Sequence, residues 1–214
     1  ELGLEEFLTK EKIIKYLEEI GIDYTTYPNH TGVMAYINKN AKNTVAIRAD
    51  IDALPILETN NKSYKSIHRG KMHACGHDGH MAILLGAAKM LMSMKDRIEG
   101  DVYLAFQPAE ETGAGAPDFI KFGDWYDKID AIFGGHVWID LPAGLISVEE
   151  GPRMAASSQI TINVKGKQGH GAQPHQAIDA IVVASAIVMN LQTVVSRNVS
   201  ALDSLVLTIG NIHS

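Results

Sequence analysis

Three β-type runs in this chain each present a polar group at their carboxyl end. Arg48-Ala-Asp50 follows Thr44–Ile47, Pro108-Ala-Glu-Glu111 follows Val102–Gln107, and His136 follows Ala131–Gly135. Strands alternating with helical patterns argue a layered α/β domain, and in open α/β sheets ligands bind in the crevice outside the carboxyl ends of the strands. Segments far apart in sequence are thereby delivered to one edge.

The remaining pattern fits that layering. Leu4, Phe7, Leu8, Ile13, Ile14, Leu17 and Ile20 fall at helical spacing with Glu and Lys between them, and Gly21 supplies a stop. Short β-rich runs follow at 22–27, 33–38 and 44–49. The last two are separated by Asn38–Thr44, whose residues have hairpin-turn chemistry. A helix from about Gly79 to Met94 is apolar nearly all round and is expected to be buried, and another is expected near 116–122. From about Ser157 the texture changes to a strand over Gln159–Val164, a Gly/His loop over Gly166–His175, an apolar helix over Ala177–Val195 and a strand over Leu205–Ile212. Two domains are therefore expected, 1–157 and the start of a second over 158–214. The last strand still needs sheet partners, so the protein is expected to continue beyond Ser214.

Composition narrows the function classes. A net charge of −6, with only 19 Lys and Arg, offers no basic face for nucleic acid. No run approaches the roughly 18 consecutive apolar residues of a membrane span, and the acidic start is unlike a signal-peptide n-region, so a cytoplasmic address is the default expectation. The single cysteine cannot form an internal disulfide. It lies among histidines: His68, His73, His77 and His80 fall within thirteen positions.

Cys75 and His77 are one residue apart in a tight Gly-containing turn just before a helix, which lets both side chains converge. Glu111 and His136 arrive from two other strand ends. A thiolate, two imidazoles and a carboxylate suit a borderline-soft divalent ion such as Zn, Mn, Co or Ni, and the set is unlike an all-Cys structural site. Glu110, next to the proposed ligand Glu111, is placed to take a proton from an activated water. Asp50 and Asp52 flank Ile51 on one side of a strand end. One of them is expected to buttress a ligand histidine, with Arg48 as an ion-pair partner. Taken singly, each of these groups is as readily a buried thiol, a solvated carboxylate or a strand-end ion pair; their joint placement points to a metal centre. Asp78 is read as a helix-capping or supporting residue, and His73 and His80 as structural. An alternative chemistry, Cys75 as nucleophile with His77 as base, has poor geometry at that spacing.

Arg48-Ala-Asp-Ile-Asp-Ala-Leu-Pro55, Met72-His-Ala-Cys-Gly-His-Asp-Gly-His80, Phe106-Gln-Pro-Ala-Glu-Glu111, Gly135-His-Val137 and Gly169-His-Gly-Ala-Gln-Pro-His175 together resemble the M20 metallopeptidases. The resemblance is to the amidohydrolase branch that holds aminoacylase-like, hippurate-hydrolase-like and auxin-conjugate-hydrolase-like enzymes. It implies a mixed-sheet α/β/α catalytic domain interrupted by a ferredoxin-like α+β lid that mediates homodimerisation. It also implies two divalent ions, with Cys75, His77, Glu111 and His136 as ligands, Glu110 as general base and Asp50 as the aspartate orienting a ligand. His170 matches a lid histidine that stabilises the oxyanion in the opposite subunit. The implied substrate is an N-acyl amino acid or related small amide. An N-acetyl-diaminopimelate deacetylase, a small-peptide peptidase and an inactive metal-binding or dimerisation fragment are the alternatives. A fifth ligand histidine of the family has no match before Ser214, so little activity is expected from this chain alone.

Overall fold

A computed structural model of the chain describes residues 1–38 and 41–214 and divides into two compact units, Glu1–Ser147 and Val148–Ser214. The change in sequence texture had suggested a division ten residues later, after residue 157.

The first unit opens with α1 (Phe7–Ile20), which buries Ile13 and Leu17 and ends at Gly21 in the left-handed conformation, φ +79°. Five strands follow: β1 (Asp23–Thr26), β2 (Val33–Ile37), β3 (Thr44–Asp50), β4 (Asp101–Gln107) and β5 (Ala131–Gly134). Between β3 and β4 runs α2 (His77–Ser93), and between β4 and β5 a short α3 (Gly115–Phe119). The sheet order is β1-β2-β4-β3-β5, with β2 antiparallel to its neighbours and β3 parallel to both β4 and β5.

One face of the sheet contributes Val33, Ala35, Ile37, Ala49, Val102, Leu104 and Phe106 to a core closed by α1 and α2. The other face packs Met34 and Ala105 against Phe119 and Trp125. The alternation within β2 and β4 splits between these two cores, as the period-2 geometry of strands requires. The result is a mixed α/β fold with helices on both faces of a five-stranded sheet.

The segment Asn38–Thr44 does not close a hairpin: β4 lies between β2 and β3 and pairs with both. Turn-forming residues show only that the chain leaves a strand, whereas the near-continuous apolar run of β4 takes the centre of the sheet because it can be covered on both faces. Lys39 and Asn40 of that turn lie outside the described residues. Nor is α2 buried all round. It buries His77, His80, Leu84 and Ala88, while Ile83 and Met90 face outward at 63% and 70% exposure. A helix turns one stripe to the sheet it lies on, and its opposite stripe is covered only where a further layer packs against it.

In the second unit, α4 (Ala180–Asn198) starts at Asp179, whose carboxylate accepts from the Ile181 and Val182 amides. This N-cap satisfies two otherwise unpaired amides. By length and composition α4 could cross a membrane, but Ser185, Asn190, Gln192, Thr193 and Ser196 interrupt its apolar run. The strands expected over Gln159–Val164 and Leu205–Ile212 are not formed; among the described residues these runs have no ladder partner. A β pattern becomes a strand only when a neighbour takes up its amides and carbonyls.

Candidate metal centre

The parallel register places the ends of β3, β4 and β5 together. Asp50 stands beside Gln107, and Arg48 beside Gly134. The strand-end groups predicted to converge therefore do so, and the start of α2 is added to them.

Gly76 makes the approach of that helix feasible. It adopts φ +84°, and a Cβ there would lie 2.3 Å from a methyl of Val137. Only glycine tolerates both demands. It lets the Cys75–His77 turn close onto the segment carrying His136, whose Nε2 stands 3.4 Å from Cys75 Sγ.

The hydrogen bonds fix which ring nitrogens can bind an ion. His77 is 1% exposed, and its Nδ1 meets Asp52 Oδ1 at 3.1 Å. An ionised carboxylate can only accept, so Nδ1 carries a proton, and in the neutral ring Nε2 is the nitrogen left to bind an ion. That Nε2 is buried without a hydrogen-bond partner. Around it stand Asp50 Oδ2 at 3.6 Å, Glu111 Oε1 at 3.7 Å and Glu110 Oε2 at 4.0 Å. His136 repeats the arrangement: its Nδ1 donates to the Val137 carbonyl, leaving Nε2 free of a proton on the side of Cys75. Buried polar atoms are nearly always paired, so an orphaned imidazole nitrogen among carboxylates and a thiol marks a candidate metal ligand. The groups Cys75/His77/His136, Asp50/His77/His80 and His77/Glu110/Glu111 each bring their ligand atoms within 4.8 Å of one another, and His77 belongs to all three.

Electrostatics agree with that reading. Burial pushes the Cys75 thiol up to about 11, and the nearby charges of Glu111, Glu110 and Asp50 add to the effect. Burial disfavours a charged His77, yet the Asp52 hydrogen bond and the charges of Asp50, Asp52 and Glu111 outweigh it and hold its pKa above the ordinary value. For Asp52, burial alone would raise the pKa, but the bonds from His77 and the Glu111 and Glu110 amides bring it below the usual range. An anionic cluster that raises the pKa of a thiol and an imidazole favours positive charge at this place.

The supporting contacts differ in detail from expectation. The aspartate that orients the ligand-type His77 through Nδ1 is Asp52, the other member of the predicted pair. Asp50 instead accepts from His80 Nδ1 at 2.6 Å and from Arg48 Nη1 at 2.8 Å. Both carboxylates lie on one side of the strand end, and sequence spacing alone cannot say which reaches which ring. His80, expected to be structural, joins two segments of the site: its Nε2 accepts from the Val137 amide at 2.9 Å. Gln107 had no sequence signal; its Oε1 accepts from Arg48 Nε at 2.8 Å. Asp78 is exposed and its Oδ1 accepts from the Gly79 amide. His170 lies in the second unit, exposed, with Nδ1 accepting from the Ala172 amide.

The pattern of Peptidase family M20/M25/M40 matches residues 46–203. The chain belongs to this family. Among curated relatives, this M20 chain is 46% identical over 214 residues to the N-acetyl-L-cysteine deacetylase of Bacillus subtilis strain 168, covering 100% of the chain and 51% of that protein. It is 43% identical over 210 residues to the N-acyl-L-amino acid amidohydrolase of Geobacillus stearothermophilus, covering 98% and 57%. The M20 chain thus spans about half the length of the curated relatives it matches. Among solved structures it superposes on the YXEP protein of Bacillus subtilis, a dinuclear metal-binding peptidase of the M20 family, with TM-score 0.68 and 45% identity, covering 71% of this chain and 43% of that one.

Proposed function

We propose that the protein hydrolyses the amide bond of N-acyl amino acids or related small amides to a carboxylate and a free amine. The observation that carries this reading is the convergence of Cys75 Sγ and the unprotonated Nε2 atoms of His77 and His136 beside Glu110 and Glu111. Cys75, His77, Glu111 and His136 would hold a pair of divalent ions, of the Zn, Mn, Co or Ni type. When bound, such ions polarise a substrate carbonyl and make water acidic enough to be deprotonated near neutral pH.

The chain's own residues account for the rest. Glu110, on the exposed side of the site, takes a proton from the attacking water and delivers it to the departing amine, a role typically contributing about 10²–10⁴-fold. Asp52 keeps His77 in the tautomer that directs Nε2 inward. The His170 ring, accepting at Nδ1, carries its proton on Nε2 and offers that N–H to the developing oxyanion, in this reading from a lid domain of the partner subunit in a homodimer. A cytoplasmic enzyme of this class needs no disulfide, consistent with its single cysteine.

The test is hydrolysis of a panel of N-acyl amino acids by the full-length protein and its Glu110→Gln variant. Loss of roughly 10²-fold or more in kcat with metal content retained is expected; full turnover by Glu110→Gln would remove the mechanism.

A further inference from the structure

The six residues before α1 form no regular element, yet they brace both carboxylate-bearing loops of the metal centre. The Glu1 carbonyl accepts from the Ala53 amide at 2.8 Å, and Leu2 bridges Ala53, directly after Asp52. Gly3 lies so close to the other loop that a Cβ would stand 3.1 Å from Ala109 Cα. Glu6 completes the contact. Its side chain is fully buried at 0% exposure, with Oε2 accepting from Thr31 Oγ1 at 2.6 Å and Oε1 accepting from the Ala109 amide at 2.8 Å.

Ala109 immediately precedes Glu110 and Glu111 and holds φ +50°, a left-handed conformation that costs a non-glycine residue of order 1–3 kcal/mol. Such a conformation persists only where its surroundings enforce it. From one side the turn is enforced by Gly115, where a Cβ would fall 1.7 Å from the Pro108 carbonyl oxygen. From the other it is enforced by Glu6. A carboxylate that is buried and lies near the charge of Asp52 is electrostatically unfavourable, so its presence calls for a compensating task. The bond to the Ala109 amide is that task.

We propose that Glu6 is a positioning residue for the metal centre: by holding the strained Ala109 amide, it sets where Glu110 and Glu111 present their carboxylates. The inference rests on the metal-centre reading above. It commits the segment leading into α1 to the active site, although none of its side chains belongs to the Cys/His/Glu cluster.

The experiment compares full-length wild type with Glu6→Ala, Glu6→Gln and Leu17→Ala, the last a core truncation in α1 remote from the turn. Zn²⁺ affinity is measured by competition with a chromophoric chelator, and amide hydrogen exchange is followed over residues 108–113. Glu6→Ala is expected to weaken Zn²⁺ binding about 10–100-fold, as loss of supporting contacts around a metal typically does, to lower kcat more than it changes KM, and to speed exchange across the turn. Glu6→Gln, which still accepts from Ala109 while Thr31 rotates to accept from its amide, is expected to restore affinity and protection. Leu17→Ala is expected to lower Tm with affinity and turn exchange unchanged. Wild-type affinity and protection in Glu6→Ala would overturn the proposal, as would parallel losses in Leu17→Ala. If Glu6→Ala does not fold, Glu6→Asp, with its carboxylate withdrawn by one methylene, serves instead, and unchanged binding and exchange there are equally contrary. A wild type that binds no Zn²⁺ would defeat the metal-centre reading, while the exchange data would still decide the role of Glu6.

Discussion

Asp52→Asn isolates the contact that makes His77 a ligand. The side chain keeps its size and one carbonyl oxygen but exchanges an acceptor for an NH₂ donor. In the native site Asp52 accepts on both sides, from His77 through Oδ1 at 3.1 Å and from the Glu111 amide through Oδ2 at 3.0 Å. Asparagine can satisfy only one of these. If its oxygen stays with Glu111, its NH₂ faces His77 Nδ1 and the ring proton must move to Nε2, removing the lone pair that points into the cluster. If the amide flips, the Glu111 backbone N–H meets a donor and the turn bearing Glu110 and Glu111 is displaced. The first outcome leaves a protonated Nε2 among the ligand atoms and the second a donor facing a donor, each at a site about 1% exposed and each at a cost of about 1–3 kcal/mol, which at about 1.4 kcal/mol per decade agrees with the roughly 10–100-fold loss typical of such supporting residues. Titration of purified wild-type and Asp52→Asn protein with Zn²⁺ against a calibrated chelator measures it, with circular dichroism to establish folding. A folded Asp52→Asn variant with wild-type affinity would refute the assignment of Asp52 as the orienting carboxylate.

Three further outcomes are expected. Because burial and the surrounding carboxylates push the metal-free Cys75 thiol up to about 11, Zn²⁺ must displace its proton at neutral pH. Apparent affinity should therefore rise by about tenfold per pH unit from this group over pH 6–9, and a flat profile in that range would contradict the ligand role. Gly76→Ala combines a φ of +84° with a Cβ placed 2.3 Å from Val137; thermal melts should show a loss of about 1–3 kcal/mol or more, together with weakened metal binding, and a neutral result would show that the turn can relax. His30 is buried, and burial lowers its pKa from the ordinary 6.5 despite the nearby Asp118. The unfolded chain then binds more protons in the window below 6.5, so the His30 contribution to stability is full above that value and is lost as pH falls through the folded pKa. His30→Asn, whose Oδ1 can still accept from the Gly32 amide as Nδ1 does, should flatten the acid limb of stability against pH measured by denaturant unfolding.

The layout of the site was legible in the sequence because parallel strands are read at their ends. Asp50, Glu111 and His136 each close an apolar β-type run, and Cys75 and His77 open a helix; topology then brings them together without further information. The ordering of strands was less accessible. Asn38–Thr44 has the composition of a turn, but composition does not say which strand comes next in space, and β4 occupies the place a hairpin would have given to β3. The division of labour between Asp50 and Asp52 was hidden for a related reason: a period of two puts both on one side, and only the rotamers of His77 and His80 decide the pairing. Glu6 was hidden more deeply. As one of several acids at the start of an amphipathic helix it resembles a solvated residue, and its burial arises from contacts with Thr31 and Ala109, 25 and 103 positions away.

Metal binding by Cys75, His77, Glu111 and His136 underlies the proposed hydrolysis. Its most direct test is reconstitution of the metal-free full-length protein with Co²⁺, followed by absorption spectroscopy of wild type and Cys75→Ser. A near-ultraviolet thiolate-to-cobalt charge-transfer band is expected in wild type and not in Cys75→Ser. A wild type without the band, or a Cys75→Ser variant that keeps it, would contradict the assignment.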